Sequence, residues 1–384
     1  ASIGGIPYAG YLGLIMSALV YVALHLSAVW YGMALASVVC WVWLILSVFL
    51  YKTWFDMFFK QEISQNTYGE LLPPDGKYDY TIILSGHTDT SWCWRHSAHA
   101  SKFKKTKPAM GLVATFAKVG FGVICFLFLT AVSIAMTVIS SGVYFGEVWA
   151  LKTANSASFA NFLFAMHFLP VVTAIGCMFV VMWADPNPRN ASRGAMDNAT
   201  GCALSFAVTK YFHDHPEKMP KNCRIIDFNC GSEEAGLRGS IAFTREHKGE
   251  PILENTWNIN IDSVADKDFF EVVIKDDWQF CRFDTDLEKM FKDTFNELGI
   301  VSKTNGCIHN PVGGCDSTPM TKAGMKSVTF AAQDPTLTHY YHTWHDMPER
   351  FELETVGDGF DVILGVIDKI DKFQQANGFN GPQK

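Results

Sequence analysis

Charged side chains are scarce in this 384-residue sequence, at 18% of the residues, and none occurs between Ala1 and Tyr51. The formal net charge is −7, and the lack of a basic excess argues against a nucleic acid as partner. The ten cysteines have no disulfide spacing pattern, so a framework of disulfides is not expected. With 49% hydrophobic residues and a mean hydropathy of +0.10, the chain is unusually apolar for a soluble enzyme.

Four apolar runs are long enough to cross a bilayer as helices, which takes about 20 residues each. They lie at 8–30, 33–55, 119–145 and 160–183. The start of the chain lacks the basic residues and the shorter apolar region of a signal peptide. The pattern therefore predicts four transmembrane helices in two hairpins, 1–58 and 111–184. Buried core helices of a soluble domain are the alternative.

Lysines and arginines near the ends of these runs indicate an orientation. All except Lys152 lie on the side of the remaining chain, with a cluster at 102–107. This bias predicts an integral multi-pass protein of the cell membrane, in contact with the lipid bilayer, whose main domain is cytoplasmic. The basic cluster could instead be a solvated loop or a patch that meets lipid phosphates.

Two adjacent carboxylates, Glu233 and Glu234, follow a run of β-type residues at 224–230 that predicts a buried strand. Residues 237–247 then predict a helix, so the carboxylates lie in a loop after a strand, where α/β proteins tend to place their chemistry. Two ionised carboxylates side by side repel each other unless a positive group lies nearby or one holds a proton. A metal ion is the simplest solution.

Further candidate ligands occur at four other places, each after a predicted strand or in a loop. They are His87 with Asp89, Asp197, Asp262 and His342. Two imidazoles and several carboxylates suit a pair of zinc ions bridged by one carboxylate. Near the chain end, residues 356–373 have apolar side chains at helical spacing and predict an amphipathic helix.

The order of these motifs resembles a known family. The chain has His-x-Asp at 87–89, Asp-Asn-Ala-Thr-Gly at 197–201, Glu-Glu-Ala-Gly-Leu-Arg-Gly-Ser at 233–240, Asp262, and Tyr-His-Thr at 341–343. It is similar in this respect to the co-catalytic zinc peptidases of clan MH, metallopeptidase family twenty-eight, which includes bacterial leucyl aminopeptidase and glutamate carboxypeptidase II. The resemblance implies an α/β fold with a mixed central sheet flanked by helices. The catalytic domain would be discontinuous, formed by 77–110 and 185–376.

The resemblance also implies a role for each residue of the site. Asp197 bridges two zinc ions, of which one is also bound by His87 and Asp262 and the other by Glu234 and His342.

Glu233 is then the general base, which accepts a proton from the shared water and passes it to the leaving amine. Asp89 is expected to accept the ring N–H of His87 and fix its tautomer. Tyr341 could donate to the oxyanion or simply pack, and Asp316 could contact a ligand or the substrate.

The histidines at 339, 345, 96 and 99 compete as ligands but match the motifs less well.

The leading hypothesis is a zinc-dependent exopeptidase, specifically an aminopeptidase, that acts on short or amphipathic peptides at the membrane face. Glutaminyl cyclisation and hydrolysis of acylated amino acids are alternative chemistries for the same fold. His87 and the paired glutamates favour two metals and hydrolysis over a one-metal cyclase. A non-catalytic receptor or scaffold would require the loss of ligands, and no expected ligand is missing.

Overall fold

The computed structural model describes residues 6–23, 29–54, 56–58, 62–95, 168–182, 191–311, 313–334 and 340–378, with further helical residues between 121 and 138. The chain forms two compact units. The first unit comprises Ala1–Phe59 and Trp94–Pro186, and the second comprises Lys60–Cys93 and Asn187–Lys384.

The first unit contains helices α1 (Ile6–Ala23), α2 (Val29–Trp43) and α3 (Leu169–Val181), and a π-helical turn, Leu44–Phe49, follows α2. Helix α1 packs closely on α3 at Gly10, where a Cβ atom would lie 2.7 Å from the backbone nitrogen of Val181. These two helices therefore pack against each other.

The prediction of four transmembrane helices is not borne out in the part of the chain that the structure describes. Within the described part of the chain, no helix combines the length and the apolar character needed to span a membrane.

The predicted cellular location is wrong for the same reason. An integral cell-membrane protein with a cytoplasmic catalytic domain is contradicted by the same finding. The basic cluster at 102–107, Lys152 and most of the predicted span 119–145 lie outside the described residues.

The second unit is organised around an eight-stranded mixed sheet with strand order β1-β3-β2-β4-β8-β5-β6, in which β7 pairs with β5. The strands are β1 (Thr67–Leu71), β2 (Tyr80–His87), β3 (Cys223–Cys230), β4 (Thr256–Val264), β5 (Phe270–Asp276), β6 (Cys281–Arg282), β7 (Cys307–Asn310) and β8 (Lys326–Ala332). Strands β3, β2, β4 and β8 are mutually parallel, whereas β1 and β5 are antiparallel to their neighbours β3 and β8. The prediction of a mixed central sheet is confirmed.

Helices flank this sheet. They are α4 (Gly201–Asp214), α5 (Arg238–Glu246), α6 (Thr285–Glu297), α7 (Ser317–Lys322) and α8 (Leu353–Asn377). Short 3-10 turns lie at Asp56–Phe58, Pro216–Lys218, Pro251–Leu253 and Pro348–Arg350.

Both faces of the sheet are covered, and the alternation of side chains along the strands determines which residue faces which layer. Ile82 belongs to a core cluster with Val208 of α4 and Val366 of α8. The next residue, Ile83, belongs to a separate cluster with Phe243 of α5. This coverage of both faces explains why every residue of β2 is buried.

The carboxyl ends of the parallel strands meet at one edge of the sheet. His87 at the end of β2 is in register with Cys230 at the end of β3. Asp262 lies near the end of the adjacent strand β4. Residues distant in sequence are therefore brought to one place by the topology alone.

Candidate metal centre

Five side chains converge at this edge of the sheet in two overlapping groups. His87, Asp197 and Asp262 form one group, called here the His87 subsite, and Asp197, Glu234 and His342 form the other, the His342 subsite. Within each group the potential ligand atoms lie within 4.8 Å of one another. The structure thus brings together all the residues predicted as metal ligands.

Asp197 lies at the centre of both groups. Its Oδ1 atom is 3.0 Å from Nε2 of His87, and its Oδ2 atom is 2.9 Å from Nε2 of His342. Nε2 of His342 is also 3.0 Å from Oε1 of Glu234, and Nε2 of His87 is 3.8 Å from Oδ1 of Asp262. One carboxylate therefore faces two imidazoles, each with its own terminal carboxylate.

The turn Ala195–Thr200 carries Asp197 into helix α4, and two glycines shape it. Gly194 has a φ of 68°, a left-handed conformation that favours glycine. Gly201 is helical, but a Cβ atom there would lie 2.2 Å from the carbonyl oxygen of Ile261. The turn thus approaches strand β4 closely enough to bring Asp197 beside Asp262.

The charges of this cluster fit a bound cation. Three carboxylates from Asp197, Glu234 and Asp262 are crowded into a largely buried volume with two imidazoles. Each subsite offers one imidazole nitrogen, one terminal carboxylate and one oxygen of Asp197, a donor set typical of zinc. Buried negative charges at this density need compensation, which a divalent ion supplies.

The ionisation of these groups reflects the same crowding. Burial raises the pKa of Asp197, but hydrogen bonds from His342 and His87 outweigh it and hold that pKa well below its usual range. Burial raises the pKa of Glu233 well above its ordinary value, and the negative charge of Asp316 adds to the effect. Glu233 and Glu234 are neighbours in sequence, yet only Glu234 belongs to a metal group.

Asp89 makes different contacts from those expected. Nδ1 of His87 is 3.1 Å from the backbone carbonyl oxygen of Asp89, and 3.7 Å from its carboxylate. The carboxylate accepts the backbone N–H groups of Glu233 (2.9 Å) and Glu234 (3.1 Å) instead. Asp89 therefore fixes the His87 ring through its main chain and the glutamate loop through its side chain.

Asp316 is fully buried and joins two elements beneath the glutamate loop. It accepts hydrogen bonds from the hydroxyl of Ser240 in α5 and from the thiol of Cys230 in β3, the latter at 2.6 Å. Burial raises its pKa to about 6. All ten cysteines of the chain are free.

The aromatic loop before α8 supplies the last ligand. Tyr341 stacks on His342 with ring centroids 3.8 Å apart. Burial raises the pKa of the Tyr341 hydroxyl well above its usual value, and the charge of Asp197 reinforces this. His345 belongs to neither metal group among the described residues, and the histidines at 96, 99 and 339 lie outside them.

Two residues that support Asp197 were not predicted as functional. Asp346 accepts backbone N–H groups from the Asp197 turn, and the Asn198 side chain contacts the end of β4. The only signal for Asp346 in the sequence is an acidic residue four positions after His342, and Asn198 is marked only by being next to Asp197.

Part of this region matches a known protein family. Residues 178–367 match the model of Peptidase family M28. The M28 match covers just under half of the chain and includes Asp197, Glu234, Asp262 and His342, whereas His87 lies before it. No curated protein matches the sequence.

Several solved structures are similar to the chain. BSAP, a zinc aminopeptidase from Bacillus subtilis, shares 16% identity with a TM-score of 0.46, and the match covers 81% of this chain and 51% of that one. A Zn-dependent exopeptidase from Parabacteroides distasonis shares 14% identity with a TM-score of 0.45, over 79% of this chain and 77% of that one. A glutaminyl cyclase from an Acidobacteriales bacterium shares 13% identity with a TM-score of 0.41, over 80% of each chain. The chain thus spans about half the length of the Bacillus protein.

Proposed function

We propose that this chain is a two-zinc hydrolase of peptide bonds that acts as an aminopeptidase. The observation that carries the proposal is the placement of Asp197, whose two carboxylate oxygens each face a different imidazole at 2.9–3.0 Å. Since each imidazole has its own terminal carboxylate, two subsites share one bridging ligand. The M28 match over 178–367 supports the same reading.

The His87 subsite would hold one zinc ion and the His342 subsite the other. When bound, zinc supplies Lewis-acid activation of water and polarises the scissile carbonyl group. Strands β2 and β4 carry His87 and Asp262, and the loop after β3 carries Glu234.

Glu233 serves as the general base in this proposal. Its carboxylate takes a proton from the attacking water, whose oxygen bonds to the peptide carbonyl carbon, and gives that proton to the leaving amine nitrogen as the C–N bond breaks. The two hydrogen bonds from the backbone of Glu233 and Glu234 to Asp89 fix the loop in which this carboxylate lies.

Tyr341 would donate a hydrogen bond to the oxygen of the reacting carbonyl. Its stack on His342 keeps the ring beside the metal centre. Hydrogen-bond donors aimed at a developing oxyanion are a common source of rate acceleration.

The experiment that tests this function compares three substrates on one preparation. They are a leucine anilide with a free amino group, its N-acetylated form and a peptide with amino-terminal glutamine. Of the three substrates, we expect only the anilide with a free amino group to be hydrolysed. A metal chelator should abolish this activity, and added zinc should restore it. Ammonia release from the glutamine peptide without peptide-bond cleavage would point to a cyclase instead, and cleavage of only an acylated substrate would point to an acyl-amino-acid hydrolase.

A further inference from the structure

The turn that carries Asp197 is held from two sides by buried polar side chains. Asn198 has 1% of its surface exposed and Asp346 is fully buried. Neither belongs to a metal group. Each makes several hydrogen bonds, and their partners lie on different elements.

Asn198 connects the turn to the end of strand β4. Its Nδ2 atom donates to the carbonyl oxygen of Ile261 at 2.8 Å. Its Oδ1 atom accepts the N–H groups of Gly201 at 3.0 Å and Ser263 at 3.3 Å. Since Ile261 and Ser263 are the two neighbours of Asp262, the amide fixes the position of Asp262 relative to Asp197.

Asp346 connects the other side of the turn to the loop of His342. Its two carboxylate oxygens accept the N–H groups of Met196 at 2.8 Å and of Asp197 at 3.2 Å. Its own N–H donates to the carbonyl oxygen of Thr343 at 3.2 Å, one residue after His342. The carboxylate thus fixes the position of His342 relative to Asp197.

We infer that Asn198 and Asp346 are positioning residues for different metal ions. Asn198 supports the His87 subsite, which needs Asp197 and Asp262 at a fixed spacing. Asp346 supports the His342 subsite, which needs Asp197 and His342 at a fixed spacing. The inference rests on the proposed two-zinc function and deepens it, because it assigns Asn198 to one zinc ion and Asp346 to the other.

The test is a zinc titration of chelator-treated full-length protein by calorimetry. The variants are Asn198→Ala and Asp346→Asn, with the exposed helical residues Asn296→Ala and Asp293→Asn as matched controls. Removal of a partner that orients a metal ligand typically weakens metal binding by about 10- to 100-fold. Asn198→Ala and Asp346→Asn should each weaken the binding of one zinc ion by this factor and leave the affinity for the other zinc ion near that of wild type. The two controls should bind both zinc ions with wild-type affinity.

Double variants identify which ion is weakened. In a His87→Ala background, where only the His342 subsite remains, Asn198→Ala should leave the affinity of the remaining zinc unchanged and Asp346→Asn should lower it. In a His342→Ala background the two effects should be exchanged.

The outcomes separate this inference from the function on which it rests. Wild-type protein that binds fewer than two zinc ions overturns the two-zinc function itself. Wild type with two ions, together with support variants that bind both normally or weaken both equally, overturns only the assignment. Circular dichroism monitors folding, and Asn198→Ser, which keeps a hydroxyl in place of the amide, replaces Asn198→Ala if the latter does not fold.

Discussion

At the scale of single residues, two neighbouring glutamates with the same chemistry have different surroundings. Glu234 faces His342, while Glu233 lies outside both metal groups and has a raised pKa from burial and the nearby Asp316 charge. The proposed roles of Glu234 as ligand and Glu233 as base are consistent with these different positions in the loop.

Replacing Glu233 with Gln should lower kcat by about 10²- to 10⁴-fold, because an amide cannot accept the proton of the attacking water. The zinc content should not change, since Glu233 is not a ligand in either subsite. Steady-state kinetics and metal analysis of one sample measure both, with the exposed Glu246→Gln as control. Loss of zinc in Glu233→Gln would contradict the assignment of this residue as the base.

A second buried acid, Glu271 in β5, makes stability depend on pH. Burial raises its pKa from 4.5 to about 8. The folded protein therefore holds this proton more tightly than the unfolded chain does. The stability that the protonated group provides is present at low pH and is lost as the pH rises from about 4.5 towards 8, by at most about 1.4 kcal/mol per pH unit.

Glu271→Gln resembles the protonated form and should flatten this dependence, so that the variant is more stable than wild type at pH 8. Urea unfolding at pH 5, 6.5 and 8 measures the difference. The exposed Glu254→Gln is the control and should follow wild type. A variant whose stability falls as steeply as that of wild type would show that Glu271 is not the group responsible.

The sequence was sufficient to predict which residues lie together in the candidate metal centre, but not which hydrogen bonds hold them in position. Each ligand followed a strand signal or lay in a motif, and parallel strands bring such positions together. The contacts of Asp89 and Asp346 are to backbone N–H groups, and those depend on loop conformations that no periodic pattern encodes. The sequence therefore predicted the carboxylate of Asp89 as the partner of His87, where the structure has its carbonyl oxygen.

At the scale of elements, the strands were predicted best and the apolar helices worst. The predicted strands before His87 and Asp262 are present as β2 and β4. The amphipathic helix predicted at 356–373 is present as the longer α8. An apolar run alone does not state where a helix begins or ends, so the helices of the first unit were predicted less well than the strands.

Two glycines of α8 provide a matched test of its packing. A Cβ atom at Gly365 would lie 2.7 Å from Cγ2 of the buried Thr294 in α6, whereas none of the described atoms comes within 4 Å of one at Gly357. Gly357→Ala should stabilise the protein by about 0.5–1 kcal/mol through helix propensity. Gly365→Ala should destabilise it by about 1–3 kcal/mol through overpacking.

Thermal and urea unfolding of both variants measures these changes, and each variant serves as the control for the other. Equal stabilisation by the two alanines would mean that α6 and α8 are not in close contact at Gly365.

At the scale of the whole molecule, the second unit is assembled from two separate stretches of chain. Lys60–Cys93 contributes β1 and β2 with His87 and Asp89, and Asn187–Lys384 contributes the other ligands. The central strand β2 lies between β3 and β4, so the site requires both stretches. The motifs in the sequence already predict a domain made of two stretches, because His87 and Asp197 belong to one series of motifs although more than one hundred residues separate them.

The most direct test of the central claim is the zinc content of purified wild-type protein beside Asp197→Asn, with peptide hydrolysis followed in the same samples and Asp293→Asn as control. About two zinc ions per chain are expected in wild type and control, because Asp197 is shared by both subsites. In Asp197→Asn, zinc and hydrolysis should be lost together. One zinc ion or none in well-folded wild type, or an Asp197→Asn variant that keeps two ions, would contradict the two-metal account.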